Sequence, residues 1–257
     1  MDTTKELKLA VLIDADNVPY SNVKGMLEEI TKYGTPTFKR IYGDWTAPTL
    51  SGWKTVLLQN AITPVQQYSY TSGKNSSDSA LIIDAMDILY TGGVDGFCIV
   101  SSDSDFTRLA TRLREAGMKV VGIGEKKTPY AFIAACNKFI YIEILKKEIK
   151  EVTISKNTSK EPVKKSAPAP ATSVVSSVDK ELIKLISNSI NDIADEESGW
   201  VFLGALGSLI IKKQPDFDPR NYGYKKLLDL ISTIKEIELD ERPTGKNNIS
   251  HFYVRTK

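Results

Sequence analysis

The chain is 257 residues long, 41% hydrophobic and 26% charged, with a formal net charge of +2 at pH 7. This is a globular composition, long enough for one large core or one core plus a small second domain. Two cysteines in apolar surroundings (Cys98 in GFCIV, Cys136 in IAACN) exclude a disulfide framework and a zinc centre, and a single histidine, His251, leaves the N-terminal part no Ser-His or Cys-His pair. Acid–base or metal chemistry therefore falls to carboxylates and lysines. The apolar run Leu9–Ile13 is too short and too soon acidic for a signal peptide. No stretch approaches the ~18–20 apolar residues of a membrane span. The expectation is a cytoplasmic protein with no membrane partner.

From Leu7 to about Leu145, short apolar runs alternate with amphipathic stretches. The expected strands are LKLAVLID, TFKRIYG, ITPVQQY, GFCIVSS, KVVGIG and FIYIEI. Between them lie the helical patterns NVKGMLEEITKYG, LSGWKTVLLQNA, SSDSALIIDAMDILYTGG, DFTRLATRLREAG and TPYAFIAACN. Such alternation predicts an α/β fold, a parallel sheet with helices on both faces, over residues 1–148. Residues 149–177 lose the pattern; Lys, Ser, Ala and Pro dominate, as in a flexible linker. Residues 178–257 resume it with VDKELIKLISNSI, FLGALGSLIIKK and YGYKKLLDLISTI, then strand-like IKEIEL and ISHFYVR. Three helices and a two-stranded hairpin suggest a small winged helix. The charge is uneven: residues 146–177 carry +4, whereas 1–145 and 178–257 each carry −1. Bulk charge alone does not point to a nucleic acid.

The acids are more telling. In a doubly wound sheet, ligands bind beyond the carboxyl ends of the strands. The first strand ends in LIDADN, with Asp14, Asp16 and Asn17, and the fourth in VSSDSDF, with Asp103 and Asp105. Asp78 stands in the first turn of the third helix, on the stripe shared with Ile82, Ala85 and Leu89; Asp84 and Asp87 fall off it and read as solvated acids. Helix capping is the plain alternative for Asp78 and for one of the Asp103–Asp105 pair, and an Asx-turn is the alternative for Asp14. Asp16, the weaker partner, points to the other side and equally reads as a turn residue; Asn17 could hold Asp14 or contact a phosphate oxygen of RNA, with a turn-forming Asn as the alternative. Carboxylates converging on one point repel one another unless a cation lies between them, and an all-oxygen set favours Mg²⁺ or Mn²⁺. Such ions activate water and stabilise in-line attack on phosphorus.

The stretches LIDADN, YGDW, GKNSSDSALIIDAMD, CIVSSDSDF and GIGEKKTPYAFIAACNKFIY resemble the NYN domain, a branch of the PIN-like nucleases. The resemblance implies a ribonuclease whose metal-binding acids are Asp14, Asp78, Asp103 and Asp105, with Asn17 beside them. GWVFLGALGSLIIKKQPDFDPRNYGYKKLLDLI through HFYVR resembles the OST-HTH or LOTUS domain, which implies an RNA-binding module. Arg220, Tyr222, Lys225 and Lys226 are its expected contacts to single-stranded or structured RNA. Their alternative is a solvated face around a core Tyr.

Smaller signals remain. Trp45 and Trp53 could stack bases, although core placement is the commoner fate. Lys74 in SGKN could neutralise a phosphate, as could Lys126 and Lys127 after GIGE, which is neither a dinucleotide fingerprint nor a P-loop. Two other classes compete with a nuclease. One is a non-catalytic RNA-binding or adaptor protein that keeps the acids as caps. The other is a haloacid-dehalogenase-type phosphatase, prompted by Asp14-x-Asp16, but Asn17 and Val18 stand where that family has Gly and Thr. Edge strands leave a homo-oligomer open.

Overall fold

The structure, a computed structural model, describes residues 6–68, 76–145, 178–243 and 250–257. The chain divides into two compact units, residues 1–158 and 159–257. The segment 149–177, expected as a linker, and Lys74 lie outside the described residues.

The first unit is a six-stranded, all-parallel sheet in the order β3-β2-β1-β4-β5-β6. Its strands are β1 (Lys8–Asp14), β2 (Thr35–Gly43), β3 (Thr63–Gln66), β4 (Gly96–Val100), β5 (Lys119–Gly124) and β6 (Lys138–Tyr141). The helices between them are α1 (Val23–Ile30), α2 (Trp53–Asn60), α3 (Ser76–Thr91), α4 (Thr107–Glu115) and α5 (Tyr130–Ala135). Successive side chains on a strand point to opposite faces, and β1 shows both faces filled. Leu9, Val11 and Ile13 pack with Met26 and Ile30 of α1 and Trp53 and Leu57 of α2. Ala10 and Leu12 pack with Leu81 and Ala85 of α3, Leu109 and Leu113 of α4 and Phe132 of α5. A strand buried on both sides needs a continuous apolar run, which LAVLI supplies. Asp14 follows Ala10 and Leu12 in phase, so it turns toward the α3 and α4 side.

Strand order reverses between β1 and β4, which makes their carboxyl ends the switch point where a crevice opens. Helix α3 crosses β1 and β2 on its way from β3 to β4. This crossing changes one expectation. Asp84 is not a solvated acid: Arg40 and the Tyr42 hydroxyl, both on β2, donate hydrogen bonds to its two carboxylate oxygens. Burial, with Asp84 alongside, pushes the Tyr42 phenol well above its ordinary value. Trp53 is fully in the core, and the Trp45 indole N–H donates to the Val65 carbonyl at 2.9 Å. Neither ring is a solvent-facing platform.

The second unit packs α6 (Lys180–Asn191), α7 (Leu203–Lys213) and α8 (Leu227–Ile231) on an antiparallel sheet, β7-β9-β8. Its strands are β7 (Val201–Phe202), β8 (Ile237–Pro243) and β9 (Ser250–Thr256). The expected hairpin is therefore a three-stranded sheet, because the two residues of β7 pair with Tyr253 and Val254. Leu182 and Ile186 of α6, Leu206 and Ile210 of α7, and Leu230 and Ile231 of α8 close the core over Val201, Ile237 and Val254. The Asp179 carboxylate caps α6 by accepting the Leu182 N–H at 2.9 Å.

Candidate metal centre

Four segments meet at the switch point: the end of β1, the head of α3, the loop after β4 and the loop after β5. At the end of β1, Asp14 is almost wholly buried, 1% exposed. Its Oδ1 accepts the Asp16 N–H at 3.1 Å, and its Oδ2 accepts the Asn17 amide at 2.6 Å and the Ser101 hydroxyl at 2.9 Å. Asn17 thus acts on the protein, as a clamp on Asp14. Burial raises the Asp14 carboxyl above its ordinary value, and the bonds from Asn17, Ser101 and Asp16 work against that rise.

Sequence reasoning did not single out Ser101. Its hydroxyl donates to Asp14 and accepts the Asp103 N–H at 3.1 Å, so one buried side chain ties the β1 acid to the β4 loop. Gly124 at the end of β5 backs this junction; a Cβ there would lie 2.5 Å from the Ser101 carbonyl oxygen. Ser102 accepts the Glu125 N–H at 2.9 Å and joins the β5 loop to the same corner.

Of the two acids in VSSDSDF, Asp103 is the cap. Its Oδ1 accepts the Asp105 N–H at 2.9 Å and starts the short 3-10 turn Ser104–Phe106 that leads into α4. Asp105 is exposed in that first turn. Across from it, Asp78 heads α3 and is 8% exposed. Asp78, Asp103 and Asp105 each offer a carboxylate oxygen, all within 4.8 Å of one another. Burial comes first, and repulsion from Asp14, Asp103, Asp105 and Asp16 follows, in pushing the Asp78 carboxyl up to about 6. Asp14 feels this cluster electrostatically but stands outside the three-carboxylate group, its oxygens turned to Asn17 and Ser101. Asp16 is not turned away: the Ser77 hydroxyl of α3 donates to it at 3.3 Å. Asp16 lies in the turn after β1, outside the strand, so the alternation that the sequence argument assumed for it does not apply.

This donor set fits a hard divalent cation. The oxygens are all carboxylate and converge within ligand reach, and a cation among them would offset the repulsion that, after burial, raises Asp78.

The expected RNA contacts fare differently. Lys127 is exposed in the β5 loop and pairs with Glu125 at 2.7 Å; Lys126 is half-buried, and its N–H donates to Glu143 at 3.0 Å. In the second unit Arg220 forms a two-pronged pair with Asp218, Nε to Oδ1 at 3.0 Å and Nη2 to Oδ2 at 2.9 Å. Tyr222 is half-buried, its ring 6.2 Å from that of Phe217, and burial raises its phenol. Lys225 and Lys226 are exposed. Among the described residues no helix is long and apolar enough to cross a membrane.

Comparison with known proteins supplies the family. The NYN domain model matches residues 8–143, and the OST-HTH/LOTUS domain model matches residues 173–249. No curated protein sequence matches the chain. Among solved structures, a protein of unknown function from Vibrio parahaemolyticus is 21% identical over 55% of this chain and 96% of its own, with a TM-score of 0.46. An uncharacterised protein from Nitrosomonas europaea is 32% identical over 38% of this chain and 92% of its own, TM-score 0.28. Residues 175–257 of a Chromobacterium violaceum protein are 29% identical over 30% of this chain and 82% of that fragment, TM-score 0.25.

Proposed function

We propose, from the premise that this chain belongs to the NYN domain family and carries an OST-HTH/LOTUS domain after it, that it is a metal-dependent ribonuclease with its own RNA-binding module. The observation that carries this reading is the convergence of Asp78, Asp103 and Asp105 at the switch point of the parallel sheet. NYN is a nuclease-type domain and OST-HTH binds RNA, so the two halves belong to one task.

Asp78, Asp103 and Asp105 would hold Mg²⁺ or Mn²⁺, and a bound ion of this kind activates water and offsets the charge that develops on a phosphodiester under in-line attack. The residues do the rest. Asp103 is pre-set by its own cap, because the bond from the Asp105 N–H fixes its rotamer before any ligand arrives. Asp78 is fixed by the head of α3, and the Arg40–Asp84–Tyr42 contacts seat that helix on the sheet. Asp14, locked by Asn17 and Ser101, adds the fourth negative charge and keeps acceptor capacity on Oδ1 for a water. Lys126 and Lys127, in the β5 loop beside Ser102, bring positive charge to the same edge, where the RNA backbone would pass. In the second unit the exposed Lys225 and Lys226 would touch phosphates, while Arg220 and Tyr222 serve the fold.

The test is cleavage of end-labelled single-stranded and structured RNAs by the full chain with Mg²⁺, Mn²⁺ or EDTA, beside Asp103→Asn. Cleavage that needs the ion and vanishes in the variant supports the reading. RNA that is bound but left intact throughout would leave the acids as caps and make the protein an adaptor.

A further inference from the structure

The sheet of the second unit has two faces of opposite character. Val201 on β7 pairs with Val254 on β9, and Leu239 on β8 pairs with the same residue. Those residues turn to the helices. The alternate positions turn away from them: Phe202 opposite Tyr253, Tyr253 opposite Asp240, His251 opposite Arg242 and Arg255 opposite Glu238. Trp200, one residue before β7, joins this outer face, since the Arg255 guanidinium lies 4.6 Å from its ring centre.

Among the described residues this face carries no aliphatic side chain: it holds the rings of Trp200, Phe202, His251 and Tyr253, the guanidinium groups of Arg242 and Arg255, and the carboxylates of Glu238 and Asp240. Phe202 is 43% exposed, with its ring 5.2 Å from His251 and 5.9 Å from Tyr253. Arg242 lies 4.4 Å from the Tyr253 ring and 5.3 Å from Trp200. Beside these ring contacts, each arginine donates through Nε to a carboxylate, Arg242 to Asp240 and Arg255 to Glu238, both at 2.7 Å. Their terminal amines make no hydrogen bond to any described residue. The carboxylates thus orient each fork, and both arginine side chains stay partly exposed. A solvated sheet face is ordinarily Thr, Lys and Glu; rings and guanidinium groups instead mark a contact surface, for protein or nucleic acid alike, and the match of this unit to the RNA-binding OST-HTH/LOTUS domain favours RNA.

We infer that the outer face of the β7-β9-β8 sheet is a stacking platform for the bases of single-stranded RNA. Rings on a pleated sheet receive successive bases on their π-faces, and guanidinium groups beside them serve both stacking and phosphate contact. Because Glu238 and Asp240 offset the charge of the two arginines, stacking carries more of the affinity here than phosphate attraction does. The inference rests on the RNA-binding reading and deepens it, adding a base-stacking surface on the sheet to the phosphate contacts of Lys225 and Lys226.

The experiment measures binding of a fluorescein-labelled, single-stranded 5-iodouridine RNA to the full chain in EDTA by anisotropy, and then maps photocross-links by mass spectrometry. Phe202→Leu and Tyr253→Leu keep apolar bulk and remove the ring, and each should weaken binding by about tenfold. Arg242→Gln, at an exposed position, should weaken it severalfold and gives a readout even if a ring variant fails to fold. Cross-links should fall in residues 200–202 or 251–255. Unchanged affinity in all folded variants, with cross-links elsewhere, overturns the platform and leaves RNA binding standing. Failure of the wild-type chain to bind any RNA overturns both. Concentration-dependent self-association that Phe202→Leu abolishes, with RNA affinity unaltered, would assign the face to a second copy of the chain instead.

Discussion

Asp78→Asn should make the metal-free protein more stable while abolishing its function. The Asp78 carboxyl titrates at about 6, against an ordinary 3.8, because it is buried at the head of α3 facing Asp14, Asp103 and Asp105. A rise of roughly two units is worth about 3 kcal/mol against the ionised form, and access of water to the open corner brings the working figure to about 2 kcal/mol. The sign follows from linkage. The folded pKa lies above the unfolded one, so the contribution of Asp78 to stability is complete below about pH 4 and is lost as pH rises through about 6. Asparagine has nearly the same shape and no charge, and so escapes that loss. In EDTA at about pH 7.5 the first unit of Asp78→Asn should melt about 5 °C above the wild type, by calorimetry. Near pH 4 the two should melt together. Adding Mn²⁺ should raise the wild-type transition and leave that of the variant in place. A gap that does not change with pH, or none at all in EDTA, refutes the claim that burial and the neighbouring acids together disfavour a charged Asp78.

Asp103→Asn and Asp103→Ala should separate the cap from the site. Asn can still accept the Asp105 N–H, so it should retain stability and lose cleavage, whereas Ala should lose cleavage and about 1 kcal/mol in a denaturant melt. Gly124→Ala places a methyl 2.5 Å from the Ser101 carbonyl oxygen, an approach that backbone must relieve. It should cost about 1–3 kcal/mol and weaken Mn²⁺ binding by shifting Ser101, measured by titration of the folded variant. Arg220→Ala removes the guanidinium from the buried Asp218 carboxylate, which keeps the bond from the backbone N–H of residue 220, and should lower the stability of the second unit by about 2–3 kcal/mol, visible as an earlier second calorimetric transition.

Much of the first unit is legible in the sequence because burial on both faces demands unbroken apolar strands. LAVLI declares β1, and the same run makes Asp14 conspicuous where a further Val or Ile would be ordinary. Asp78 is legible as a carboxylate at the head of a helix stripe. What escapes is set by contacts between elements. Asp84 looks solvated until α3 is seen to cross β2, which brings it Arg40 and Tyr42. Ser101 carries no signal of its own, since nothing local says that its hydroxyl will bridge Asp14 and the Asp103 N–H. Strand β7 is two residues long, too short for any periodicity, and without it the rings of Trp200, Phe202 and Tyr253 cannot be placed on one face. The Arg220–Asp218 fork joins residues only two apart, yet a sequence with Asp, Pro and Arg in a row gives no sign that the carboxylate will be buried and the arginine half-buried over it.

The most direct test of the central claim is Mn²⁺ binding to the full chain, followed by electron paramagnetic resonance of the unbound ion. The account predicts at least one ion held per wild-type chain, and its loss when Asp78, Asp103 and Asp105 are together changed to Asn in a protein that still melts cooperatively. Mn²⁺ left unbound by the wild type, or held equally by the triple variant, would contradict it.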